Sequence, residues 1–261
     1  MTLFLHELKR NRLSLIIWSA AVSFMLGVCV IIYPEMTSQM QEVSDVFSEM
    51  GAFSSAFGMD ELNFGEFIGY FSIELNNTLG LGGAIFAAII GCGLLAKEEK
   101  DGTAEFLLTH PVSRARIVSE KLFSAIAQIL IFNLSVTSVS LICAAAIGET
   151  EGLSKLALLF VANLILQLEI LSITLCVSAF VKRGGLGIGL GITLGFYFIN
   201  IISNLSEKVE FLKFITPYAY TDGSKIVSEG TVEIKYLAVG LIFSLAGLFA
   251  AYKKYCSKDI T

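Results

Sequence analysis

Residues Lys97–Lys121 read KEEKDGTAEFLLTHPVSRARIVSEK, a 25-residue polar stretch set between two long apolar runs. Its charges and Pro111 cut Phe106, Leu107 and Leu108 off from the apolar runs on either side, so these side chains belong to no lipid span. What remains is a small amphipathic unit, Thr103–Thr109, on a hairpin joining two membrane helices. Gly102 and Pro111 bracket it at about two helical turns, and Ser113 is placed to cap the helix that follows. An apolar knob on a charged loop suits insertion into a partner outside the membrane. The competing reading folds Phe106, Leu107 and Leu108 back onto the inner leaflet, and residue spacing alone leaves the two even.

Outward from this loop the chain is lipid-soluble in character. It is 55% hydrophobic and 16% charged, against roughly 25% charged residues in a soluble domain. A span needs about 20 mostly apolar residues to cross the hydrocarbon core. Six runs meet or approach that length: Leu13–Ile32, Ile73–Ala96, Leu122–Ile147, Leu156–Val181, Leu186–Asn204 and a shorter Tyr236–Ala251 that starts or ends among the headgroups. They leave no room for a separate soluble domain, so the expected fold is an all-α polytopic membrane protein whose single transmembrane domain covers residues 1–261. The first run is longer than a leader's apolar region and ends GVCVIIYPEM without a small-x-small cleavage pattern, so it reads as a retained span. Cysteines 29, 92, 143, 176 and 256 fall in spans or the tail, with no CxxC or Cys/His metal spacing.

The net charge of −5 says little, because a membrane protein sorts charge by side. Lys9, Arg10 and Arg12 precede the first run, whereas the next loop, Tyr33–Ser72, carries seven acids and no Lys or Arg. Lys97, Lys100, Arg114, Arg116 and Lys121 follow the second run, Lys182 and Arg183 the fourth, and Lys253, Lys254 and Lys258 the sixth. The positive-inside rule then places both termini and these two loops in the cytoplasm. Residues Thr2–Arg12 have the spacing of a helix lying along the inner leaflet, or of an ordinary flank to the first span. Past Pro34, Met36, Met40, Val43, Phe47 and Met50 predict an amphipathic outer helix ended by Gly51. Such a stripe more often packs on neighbours than covers a mouth.

Small residues recur at four-residue spacing. The second run holds Gly80, Ala84 and Ala88 beside Gly83, Ala87 and Gly91; the fifth holds Gly187, Gly191 and Gly195, with Gly185 and Gly189 on an adjacent face. Such rows let helix backbones approach closely in lipid, within one chain or between two. Glu169 stands near the middle of the fourth run, where a carboxylate costs roughly 2.5 kcal/mol or more unless protonated, paired or facing water. It shares a helix face with Ile165, Ser172 and Cys176, while Asn163, Gln167, Thr174 and Ser178 form a separate polar strip. Glu169 is either a proton-responsive or solute-contacting site or a carboxyl hydrogen-bonded to its neighbours. Gln128, Asn133 and Asn200 read as interhelical hydrogen-bond partners. GxxxxGK[ST], HExxH and GxSxG patterns are missing, and His6 and His110 stand apart. No catalytic residue, metal site or cofactor is expected on this chain.

These residues resemble the membrane-spanning permease subunits of ABC transporters of the type 2 export class. The Lys97–Lys121 loop carries the resemblance, with its acidic start, Gly-Thr, Leu-Leu, Pro-Val-Ser-Arg and final Lys. FITPYAYTDGSKIVSEG, Phe214–Gly230, is similar to the segment entering that family's last span, and AYKKYCSKDI to its basic tail. The resemblance implies two permease copies, identical or homologous, working with two cytoplasmic ABC ATPase subunits that bind the ATP and Mg. Glu98, Glu99, Gly102, Thr103, Phe106, Leu107, Leu108, Pro111 and Arg114 would then form or shape a cytoplasmic coupling helix seated on the ATPase. Thr2–Arg12 would be a connecting helix, part of Leu205–Lys235 would form short re-entrant helices before the sixth span, and Gly187, Gly191 and Gly195 would suit a permease–permease contact. The implied setting is the plasma (inner) membrane of a bacterium or archaeon, the partners being lipid and an exported solute, hydrophobic, amphipathic or peptide-like, with no nucleic acid. Two other classes stay open beside it: a sensor or immunity-type membrane protein using the acidic outer loop, and a proton-coupled carrier using Glu169.

Overall fold

The computed structural model describes residues 2–49, 54, 56, 62, 65–100, 102, 112–181 and 185–257. Helix α1 covers Thr2–Arg10 and α2 covers Arg12–Glu49. Helix α2 runs through Pro34 without interruption, so the amphipathic segment predicted past it continues the helix of the first span. Proline lacks the N–H that would bond the carbonyl four residues back, but its fixed φ is itself helical, so the loss stays local.

The second span starts earlier than its apolar run, at Phe67. It is built from α3 (Phe67–Leu75), a π-helical segment (Asn76–Leu81) and α4 (Gly82–Lys100). Aromatic packing extends it outward: Tyr33 of α2 lies 5.3 Å from the Phe67 ring and 5.5 Å from the Tyr70 ring. Helix α5 covers Arg114–Ala146, and the Ser113 hydroxyl caps it as expected by accepting the Arg116 N–H at 3.4 Å. Helices α6 (Leu153–Phe180) and α7 (Gly185–Asn204) follow. Two 3-10 helices, Glu207–Phe214 and Ala219–Thr221, and the short α8 (Gly223–Glu229) lead into α9 (Ile234–Ser257). The sixth span is thus 24 residues long, not the short one its apolar run suggested. Among the described residues, six helices are long and apolar enough to cross a membrane.

Helix α6 is the centre, packed chiefly on α4 and α9, while α2 packs on α5. Of the most apolar windows, α6 is 61% buried but α7 and α9 only 17%, so their outer faces are left for lipid or another chain. The polar strip of α6 explains the two small-residue rows of the second span. A Cβ on Gly83 would overlap Gln167, one on Gly91 would overlap Thr174, and one on Gly80 would stand 2.9 Å from Asn163 Oδ1. The amides use that proximity. Gln167 accepts from Asn133 Nδ2 at 2.6 Å, Asn163 donates to Asn76 Oδ1 at 3.1 Å, and Asn76 Nδ2 donates to the Thr221 carbonyl at 2.6 Å. A π turn exposes backbone at such junctions, and here the Leu79 carbonyl accepts from Gln167 at 3.5 Å. Of the three amides expected to bridge helices, only Asn133 makes that bond among the described residues. Gln128 bonds back to Ser124 of its own helix, and the Asn200 side-chain oxygen is buried without a partner.

Before α9, Lys225 donates to Glu233 at 2.9 Å and Lys235 lies 3.1 Å from the same carboxylate. Burial pushes the Glu233 carboxyl up, but the two lysines outweigh it and hold it below its ordinary value of 4.5. Burial likewise lowers Lys225, and Glu233 more than restores it. A carboxyl depressed in the folded state stabilises above its unfolded value and loses that contribution as pH falls through the folded one. The α8–α9 hairpin should therefore hold at neutral pH and loosen below 4.5, by about 1 kcal/mol or less. Amide exchange in α8, corrected for intrinsic rates, should show this loosening in the wild type and not in Glu233→Gln; equal pH dependence in both would remove the ion pair as its cause.

Candidate functional site

The residues expected to form or shape a coupling helix are described only in part. Thr103, Phe106, Leu107, Leu108 and Pro111 lie outside the described residues. Glu98 and Glu99 close α4 in backbone terms, and Gly102 turns the chain with a left-handed φ of +68°, a conformation suited to glycine. Arg114 opens α5 and donates Nη1 to the Tyr255 carbonyl of α9 at 3.4 Å.

The foot of this hairpin is clamped. Lys121, counted in the sequence among exposed loop cations, is only 1% exposed. Its ammonium donates to the Leu94 carbonyl of α4 at 2.7 Å and to Glu7 of α1 at 3.2 Å. Arg10 stands 3.9 Å from the same Glu7 oxygen. The Ser119 and Tyr252 hydroxyls meet at 2.9 Å. Helices α1, α4, α5 and α9 are thereby joined just inside the loop. Helix phase was the missed signal: Lys121, Ser124, Ala125, Gln128 and Phe132 share one buried stripe of α5.

The two glycine rows of α7 do different work. Gly185 and Gly189 face Cys92 of α4, where a Cβ on Gly189 would overlap the thiol. A Cβ on Gly187, Gly191 or Gly195 would meet nothing within 4 Å. The first row is consumed inside the chain; the second faces outward.

Glu169 lies on α6 against α9 and is 2% exposed. Its carboxylate rests on Gly240, where a Cβ would overlap it. The buried Tyr220 hydroxyl is the donor that faces it, a pairing looser than ideal hydrogen-bond geometry. Glu169 is among the residues beside a cleft of about 440 Å³ between α6, α7, α9 and residues Phe214–Pro217, its two oxygens buried rather than open to that space. Cys176 lines the same cleft, and Ser172, whose hydroxyl donates to the Leu168 carbonyl, also faces α9, its own carbonyl lying 3.3 Å from where a Gly247 Cβ would stand. Gly240 and Gly247, two turns apart on α9, are the contacts that periodicity within α6 could not supply.

A family model described as ABC-2 family transporter protein matches residues 1–259. No curated protein matches the chain.

Proposed function

The chain belongs to the ABC-2 transporter family, and from that membership we propose that it is the transmembrane subunit of an ATP-driven exporter in a bacterial or archaeal plasma membrane. Two permease copies form the pathway, both termini and the Lys97–Lys121 hairpin are cytoplasmic, and separate ABC ATPase subunits bind ATP and Mg and hydrolyse the nucleotide. This chain supplies no ATPase chemistry of its own. The coupling helix is the Thr103–Thr109 unit, which presents Phe106, Leu107 and Leu108 to the ATPase, and the segment between α7 and α9 is re-entrant from the outer side.

One observation carries the mechanical side of this reading: the buried Lys121 clamp at the foot of the hairpin. A force applied to the knob reaches α4 and α5 directly. Because Lys121 also holds α1, and Arg114 and Ser119 reach α9, it is shared by four helices rather than dissipated in a slack loop. Closure of two ATPase subunits then becomes a displacement of spans two, three and six. The open Gly187, Gly191 and Gly195 row supports a contact with the second permease.

The test is purification from the native membrane followed by identification of every bound chain. An ABC ATPase should accompany two permease copies in stoichiometric amount. A folded permease that purifies alone under conditions preserving known membrane complexes defeats the exporter reading.

A further inference from the structure

We propose that the pocket between α1, α2 and α4 holds the phosphate head of an anionic phospholipid from the leaflet on the hairpin side. Its place in the fold sets its depth. Ser14 stands in the first turn of the span that opens at Arg12, and Lys97 is the last residue of the span that opens at Phe67, so both line the pocket from the ends of apolar segments. That is the headgroup level of a bilayer, where long basic side chains settle. The space is about 220 Å³, below the roughly 300–1,000 Å³ of sites that enclose a whole small molecule. It takes a head group and leaves the acyl chains outside. Leu13 and Ile17 flank Ser14 on α2 and are 66% and 57% exposed, which gives those chains an apolar surface leading away from the pocket.

The lining supplies the donors. Lys97 brings an ammonium with three N–H groups, so a bond made elsewhere leaves others for a ligand. The Asn11 amide and the Ser14 hydroxyl are accessible rather than sealed, and neither makes a side-chain hydrogen bond among the described residues. Glu7 is the one carboxylate in the described lining, and its charge is already answered: Lys121 Nζ lies 3.2 Å and Arg10 Nη1 3.9 Å from the same oxygen. It therefore does not call for a ligand cation. Ammonium, amide and hydroxyl donors around one space match the several acceptor oxygens of a phosphate diester. Lys9 and Arg12, exposed at the same end, draw an anionic leaflet toward it. Gly93 forms part of the wall, and a Cβ there would meet nothing within 4 Å, so a side chain at this position enters open space. Glu7 and Leu94, the two residues that Lys121 clamps, both line the pocket, so a seated head group braces the same junction from the lipid side. The inference does not depend on the transport reading.

The assay uses the full chain, delipidated in dodecyl maltoside and titrated with dioctanoyl phosphatidylglycerol, dioctanoyl phosphatidylcholine or chain-free glycerophosphoglycerol. Native mass spectrometry counts the bound lipid and thermal melting reads its effect. The wild type should retain one phosphatidylglycerol per chain, about tenfold more tightly than phosphatidylcholine for one charge-assisted contact, and should melt at a higher temperature with it. Lys97→Gln should erase most of that preference. Gly93→Leu, which fills the pocket and suits a helix better than glycine, should keep the lipid-free melting temperature and lose the bound lipid. Equal wild-type affinity for the two lipids, or undiminished phosphatidylglycerol retention in either folded variant, overturns the proposal. Chain-free glycerophosphoglycerol binding as tightly as the lipid also overturns it, by making the pocket a site for a free phosphate ester. The wild-type comparison of the three probes needs no variant to fold. Presence or absence of an ATPase in the purified complex decides the exporter reading and leaves each of these outcomes untouched.

Discussion

Leu107→Asp is expected to leave the protein folded in the membrane and to abolish both co-purification of the ATPase and transport. The position lies in the polar hairpin outside every apolar run, so the new carboxylate stays in water in the isolated chain. In the proposed complex with the ATPase it would have to enter an apolar groove. Losing the burial of a leucine forfeits about 1.5–3 kcal/mol, and a carboxylate taken from water without a partner adds several more. Each 1.4 kcal/mol is about a factor of ten, so affinity for the ATPase should fall by more than a hundredfold. Leu107→Met, equal in bulk and polarity, should retain the partner. The measurement is the ATPase:permease ratio after purification, with size-exclusion profile and thermal melting of the permease as fold controls. An unchanged ratio in Leu107→Asp would place the knob somewhere other than the motor, for instance against the inner leaflet.

The six long apolar helices were legible because they rest on run length and composition, properties that each segment carries by itself. Span ends were less so: Phe67–Ser72, Arg114–Lys121 and Ile234–Lys235 mix aromatic or charged residues that hydropathy discounts, yet helix continuity draws them in, aided by burial against neighbours at Phe67, Tyr70, Phe71, Ile117, Val118 and Lys121. Small rows and polar strips were visible one helix at a time, and the structure matches them as pairs, Gly83 with Gln167 and Gly91 with Thr174. What a single sequence withholds is which faces meet. Nothing in the fourth run names Gly240 as the floor under Glu169, and nothing in the third names Glu7, 114 positions away, as the partner of Lys121. The same limit applied to α7, where two glycine rows look equivalent until Cys92 is found against one of them.

Lys121→Ala should be the most destabilising single change in the half of the bundle that carries the hairpin, by about 3–5 kcal/mol, the usual consequence of removing one member of a buried ion pair. The loss is asymmetric. Deleting the ammonium leaves the Glu7 carboxylate, with its side chain only 5% exposed, without its closest charge partner, Arg10 standing at a marginal 3.9 Å among the described residues. It also removes a 2.7 Å donor from the Leu94 carbonyl near the end of α4. The double variant Glu7→Gln/Lys121→Met, which withdraws both charges and keeps much of the buried volume, should recover most of the melting temperature. Stability and mechanism then separate. In Lys121→Ala at a temperature where the chain remains folded, the knob is unaltered, so the ATPase should still bind. The helices behind the knob are no longer held together, so ATP turnover should continue with transport reduced disproportionately. The double variant should restore stability without restoring this coupling in full, because Met cannot hydrogen-bond Leu94 or hold α1. Wild-type melting together with wild-type transport per ATP in Lys121→Ala would mean that the foot of the hairpin is held by packing alone and that the ion pair transmits nothing.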